Sequence, residues 1–144
     1  MREIKFRAWD KEYNFMIEPD DIAPHNREII TGEGNVMEFE ERHSYLGTTT
    51  EWDEISDKRI LMQYTGLKDK NGKEIYEGDL ITIDNPFIAH EKAIGVATIV
   101  FSYDYVGGWV AKSKGAHMNI GTRTHMISVV GNIYENPNLM EESK

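Results

Sequence analysis

Seven residues that carry oxygen ligands or turn glycines crowd into YTGLKDKNGKEIYEGDLI, residues 64–81: Asp69, Asn71, Gly72, Glu74, Glu77, Gly78 and Asp79. Side-chain oxygens at alternate positions before a glycine are what an EF-hand calcium loop uses. Its ligands fall at the first, third and fifth positions, its glycine at the sixth and a bidentate Glu at the twelfth. With Gly72 at the sixth position, Asp69 and Asn71 take the third and fifth. The first is then Leu67 and the twelfth Gly78, so two strong ligands are missing. Chain reversal accounts for the same residues better. Asp69 can accept a backbone N–H two residues on, and Asn71-Gly72 supplies positive φ without strain. Ile75 and Tyr76 anchor the returning chain, Gly78 permits a sharp corner, and Asp79 can cap the backbone entering the next strand.

Other candidate chemistry is thinner. His25, His43, His90, His117 and His125 form no HExxH pattern. His117 and His125 could meet across a hairpin and take a metal with a carboxylate, but scattered surface histidines are the simpler reading. No serine sits in a GxSxG elbow. Gly107-Gly108 lacks the Lys-Ser/Thr of a phosphate loop and reads as a turn. Acidic pairs abound, but an acid/base dyad needs one carboxyl buried and the other solvated. The expectation is therefore no catalytic residue, no metal, no cofactor and no enzyme.

Two stretches could bind macromolecules. From Tyr105 to Tyr134 there is no acid, and Trp109, Lys112, Lys114 and Arg123 combine an aromatic with cations. Stacking plus phosphate contacts would make this a candidate surface for single-stranded nucleic acid, although core packing explains Trp109 equally well. Residues 18–57, by contrast, hold twelve acids against Arg27 and Arg42. This acidic excursion reads as a solvated face, as a loop docking on the basic stretch in the same chain or a neighbouring subunit, or as a phosphate mimic offered to a protein that binds nucleic acid, with Glu38, Glu40 and Glu41 the candidate partner contacts.

The elements that position these residues read as strands. EIKFRAW alternates with Ile4, Phe6 and Ala8 on one face, and Tyr13, Phe15 and Ile17 resume the pattern after DKEYN, giving an N-terminal β-hairpin. Short strands are expected at Glu28–Ile30 and around Met37 and Phe39. A short helix is expected near Trp52–Ile55, where Trp52, Ile55, Tyr45 and Leu46 would dock the excursion. Arg59–Tyr64, Leu80–Asp84, Ile94–Phe101, Trp109–Lys112 and Met126–Tyr134 complete the set, and Ile94–Phe101 is apolar enough for a central, doubly covered strand. Asn136-Pro137 ends the last strand, with a turn of helix or a frayed tail beyond. The fold class is mainly β, α+β at most. It comprises an antiparallel sheet whose C-terminal part is a small curled sheet or SH3-like barrel. The chain divides into 1–58, hairpin plus acidic excursion, and 59–144, a β subdomain, in one folding unit.

The totals agree with a modest, soluble domain. The 144 residues carry net charge -9 and no cysteine, which excludes disulfides, thiolate metal sites and a Cys nucleophile. MREIKFRAWD has no long apolar run, so neither a signal peptide nor membrane insertion is expected.

MREIKFRAWDKEYNFM, LMQYTGLKDKNGKEIYEGDLI and VVGNIYENPNLM, in this order, resemble the three signatures of the YopX family of small bacteriophage and prophage proteins. The segments 18–57 and 85–125 carry no such likeness. The resemblance implies a phage or prophage origin, a cytoplasmic setting in the host bacterium and no assigned catalytic residues. The expected role is a non-enzymatic protein-interaction module for a host or phage protein, with a homo-oligomer open. A nucleic-acid-associated accessory protein is the alternative, and an enzyme of unknown class the third reading.

Overall fold

Turns decide where the strands of this chain stop, and side-chain oxygens decide how the turns are held. The computed structural model describes residues 3–19, 28–30, 36–84, 95–103, 108–113 and 116–142. Within them the protein is mostly antiparallel β and includes a curled half-barrel sheet. It forms two compact units, Lys5–Met62 and Gln63–Lys144, the latter joined by Met1–Ile4.

In the first unit, β1 (Phe6–Asp10) and β2 (Phe15–Ile17) make the N-terminal hairpin, with Ala8 opposite Ile17. Arg7, Ala8 and Trp9 are all buried, so β1 is covered on both faces and not half-buried as its alternation implied. Asp10 ends it: Oδ1 accepts the N–H groups of Glu12 and Tyr13, each at 2.8 Å. Its Oδ2 lies 2.8 Å from Arg59 Nη1 at the start of β6 (Arg59–Lys68). The Arg7 guanidinium also reaches β6, at Met62 Sδ.

The acidic excursion is a sheet of β3 (Glu28–Ile30), β4 (Val36–Ser44) and β5 (Gly47–Glu54). The expected helix near Trp52 is absent. Trp52 is the β5 partner of Phe39, and a 3-10 turn follows only at Ser56–Lys58. Cross-strand pairing over eight positions outweighs a weak capping signal. Ile55 is buried, and Val36 is held at the base of the hairpin by Ser56 Oγ and by the Ile55 N–H.

The second unit begins with Gln63–Lys68 of β6, paired to β7 (Glu74–Tyr76). The ladder between them is broken at Thr65–Leu67, where Gly66 has φ 84. There Thr65 Oγ1 donates to Ile75 O at 2.8 Å and accepts the Leu67 N–H, covering for lost ladder bonds. A five-stranded sheet follows in the order β11 (Ala116–Asn119), β10 (Gly108–Ser113), β9 (Ala97–Ser102), β8 (Asp79–Ile83), β12 (Ile127–Asn132). β9 is central, as its composition implies, but its burial alternates and Phe101 is exposed, so it is not covered on both faces as expected. Ile75, Ile81, Ile99, Ala111, Ile120 and Ile127, each 0% exposed, form the core with Trp109 and Met118. β11, a four-residue run of mixed polar and apolar residues, carries no strand signal in the sequence.

β12 carries an irregularity between Val129 and Gly131, which leaves Val130 exposed. Beyond it Asn132 Oδ1 accepts the N–H groups of Tyr134 and Glu135, and Asn136 Oδ1 accepts that of Asn132. Pro137 opens α1 (Pro137–Glu142), where its missing N–H costs nothing. A Cβ on Gly131 would lie 2.3 Å from Asn136 Oδ1, so the turn closes only over glycine.

Two glycines are needed for different reasons, and denaturant unfolding should separate them. Gly72 has φ +81 with no neighbour within 4 Å, so Gly72→Val is expected to lose at least about 1–2 kcal/mol by backbone strain alone. Gly131→Ala is expected to be destabilising by steric conflict, and less so in an Asn136→Ala background. If both losses are unchanged by Asn136→Ala, the assignment at Gly131 is wrong.

Candidate functional site

Each sequence-level candidate has a definite place. Asp69 is buried, 6% exposed, and its carboxylate accepts from three backbone donors. Oδ1 accepts from Asn71 N at 2.8 Å and Lys73 N at 2.9 Å, and Oδ2 from Val129 N at 2.9 Å, sixty residues away. The Lys70 N–H also bonds Ile127 O. The 69–73 turn therefore lies along the outer edge of β12 and satisfies the groups that β8 leaves unpaired. Gly72 alone supplies the positive φ; Asn71 does not, because Asn14 is the one non-glycine at positive φ among the described residues. Lys70 forms an ion pair with Asp84.

The corner behaves similarly. Gly78, at φ 82, donates its N–H to Ile99 O and accepts the Ile133 N–H, joining the lines of β9 and β12. Asp79, 1% exposed, accepts the Tyr76 N–H at 2.8 Å. Glu77 is half-buried, and burial of Tyr134, with the nearby Glu77 charge, pushes the Tyr134 phenol above its ordinary value.

Among the described residues the basic stretch does not gather into one surface. Trp109 is a core residue, 8% exposed, whose ring packs edge-on to Phe101 at 5.2 Å. Its buried Nε1 has no hydrogen-bond partner. Lys112 is exposed, but it is an odd number of positions along an unbroken strand from Trp109 and so faces the other side of the sheet. Arg123 is half-exposed with Nη1 3.4 Å from Asn119 O. Lys114 lies outside the described residues. A stacking platform needs an open ring face, and Trp109 does not offer one.

The histidines divide the same way. His25 and His90 lie outside the described residues. His43 shares a hydrogen bond with Thr48 Oγ1, and His117 and His125 are exposed. Among the described residues no three His, Asp or Glu side chains are placed to hold a metal ion.

Sequence reasoning missed the tip of the β4–β5 hairpin. Ser44 pairs with Gly47, whose φ is 124, and between them stand Tyr45 and Leu46, 96% and 82% exposed. Both were expected to dock; neither does. Ser44 Oγ donates to Gly47 O and accepts the Leu46 N–H, which fixes the turn. Hairpin turns ordinarily carry Asn, Asp or Gly, and that departure was the available signal. Below the tip the register sets Glu40 opposite Glu51, Glu38 opposite Asp53, and Glu28 opposite Glu38. Glu41 is exposed.

These features define a class: a small antiparallel β protein whose signature carboxylates and amides are bonded to its own backbone. The chain belongs to the YopX family, whose model, described as YopX protein, matches residues 5–141. The fold is also similar to the crystal structure of protein EF1440 from Enterococcus faecalis. The identity is 27%, covering 97% of this chain and 99% of that one, with a TM-score of 0.58. Among curated proteins no significant match was found. No described helix is long and apolar enough to cross a membrane.

Asp69 generates a pH prediction. Burial pushes its carboxyl up, but the N–H groups of Val129, Lys73 and Asn71, with the Lys73 charge, hold it below its ordinary value. A carboxyl depressed in the folded state stabilises fully above its unfolded value of about 3.9, and the contribution fades as pH falls through the folded value. Asp69→Asn would turn an amide N–H toward the Val129 or Lys73 donor, and is expected to cost about 1–3 kcal/mol at neutral pH. Urea unfolding should show that gap narrowing in acid; a gap independent of pH contradicts the assignment.

Proposed function

We propose that this protein is a non-enzymatic protein-interaction module, carried by a phage or prophage and acting in the cytoplasm of the host bacterium, that engages a partner through its β4–β5 hairpin. The phage setting and the compartment are inferred from the family and from the absence of cysteine. The observation that carries the reading is the exposure of Tyr45 and Leu46 on a turn built from backbone and Ser44 bonds. Burying a side chain of this size contributes roughly 1.5–3 kcal/mol, and an apolar tip on an ordered hairpin loses little entropy on docking.

Charge supports the same reading. Like charges opposite one another in a sheet are destabilising by roughly 0.2–1 kcal/mol per pair, and this hairpin has two such positions in register. A cationic partner surface would relieve that repulsion, with Glu38, Glu40 and Glu41 at its contact. The non-enzymatic part of the proposal draws on the polar groups of the signature segments: Asp10, Asp69, Asp79 and Asn132 hold backbone N–H groups.

The test is capture from host lysate with the full chain as bait. Tyr45→Ser with Leu46→Ser is expected to abolish a specific captured protein while leaving thermal unfolding within about 0.5 kcal/mol of the parent. Glu38→Gln, Glu40→Gln and Glu41→Gln together should lower the yield and flatten its salt dependence. A captured set identical for the parent and the tip variant would refute the proposal.

A further inference from the structure

One polar group of the 64–81 segment is left over from the turn that it sits in. Asn71 is exposed, and its carboxamide makes no hydrogen bond among the described residues; its backbone N–H is what Asp69 Oδ1 accepts. Asn119, Asn132 and Asn136, by contrast, each accept a backbone N–H through Oδ1. Asn71 is also the one asparagine of the chain that glycine follows. Gly72 is exposed, has φ +81 and would have nothing within 4 Å of a Cβ, so no side chain screens its nitrogen from the Asn71 carboxamide. An unengaged carboxamide beside an unscreened backbone nitrogen is the arrangement in which asparagine loses ammonia spontaneously.

We propose that Asn71-Gly72 is a self-modification site, restrained by the Asp69 turn and able, once reacted, to undo it. The Gly72 nitrogen attacks Asn71 Cγ. The N–Cγ bond forms, the Cγ–Nδ2 bond breaks, and ammonia leaves with the proton that Gly72 gives up. Water then opens the cyclic imide at either carbonyl. One product is a carboxylate on a normal backbone; the other is an isoaspartyl linkage with one extra methylene in the chain. The turn slows the first step, because the Gly72 N–H donates to Asp69 O at 3.0 Å and the Asn71 N–H to Asp69 Oδ1 at 2.8 Å. Attack therefore proceeds from the opened turn. The isoaspartyl product acts back on that turn. Its methylene falls between the Asn71 and Lys73 N–H groups that Asp69 Oδ1 holds together. Oδ1 loses this pair of donors, the Oδ2 bond to Val129 N loses its anchor, and the outer edge of β12 opens.

Incubation of the folded full chain in mildly alkaline buffer, followed by mass spectrometry of proteolytic fragments, tests this. Deamidation is expected at Asn71 ahead of every other asparagine. Asn71→Gln alters an exposed side chain that holds nothing, so it is expected to fold as the parent does and to abolish the reaction. Asp69→Asn, checked for folding by thermal unfolding, is expected to speed the reaction at Asn71 about tenfold. In the isoaspartyl fraction, hydrogen exchange at the Val129 amide should be faster than in the parent or in Asn71→Gln. A folded chain that stays intact at Asn71, or that reacts equally at its other asparagines, overturns the inference. A rate indifferent to Asp69→Asn overturns the restraint, and a Val129 amide equally protected in the isoaspartyl fraction overturns the action on the turn.

Discussion

One carboxylate decides the layout of the second unit. The turn at residues 69–73 leaves amide groups that no strand partner reaches, and an amide left unpaired where water is excluded costs on the order of 1–3 kcal/mol. Asp69 accepts two of them within its own turn and a third from Val129 in β12. That third bond brings the turn to the strand that ends the five-stranded sheet, and Lys70 adds a backbone bond beside it. An edge strand that would otherwise present a row of open donors and acceptors is closed by a side chain acting as a strand.

The device recurs. Asp10 holds the β1–β2 turn, Asp79 the corner before β8, Asn132 and Asn136 the turn before α1, and Thr65 the break in β6. These residues are the polar content of the segments that mark the family. Their carboxylates and amides bond the backbone, so much of the polar content of a stretch as dense as DKNGKEIYEGD has a structural partner. The proposed docking role uses what these segments leave uncommitted, and the exposed Tyr45-Leu46 turn is the clearest such feature.

Much of the fold was legible in local pattern. The DKNGK reversal, the Gly78 corner, the N-terminal hairpin and the apolar β9 all follow from residue types at fixed offsets. What failed depended on pairing at a distance. Trp52 lies in a strand because β4 runs beside it, and nothing near Trp52 in sequence encodes that partner. Both faces of β1 are covered because β6, fifty residues on, contributes Met62 and Arg59. The reach of Asp69 to Val129 was invisible for the same reason: its role within the turn could be read, its long-range bond could not. At the site level the error ran the other way. Tyr45 and Leu46 were read as docked because apolar residues usually are, and the solvent exposure of a two-residue turn overrides that rule.

A carbon-detected NMR titration of the Asp69 side-chain carboxyl tests the central claim most directly. Three backbone donors on one carboxylate predict a midpoint clearly below the ordinary aspartate value of about 3.9, with the Val129 amide resonance shifting along the same curve. A midpoint at or above that value, or a Val129 amide indifferent to it, would mean that the carboxylate does not hold the last strand.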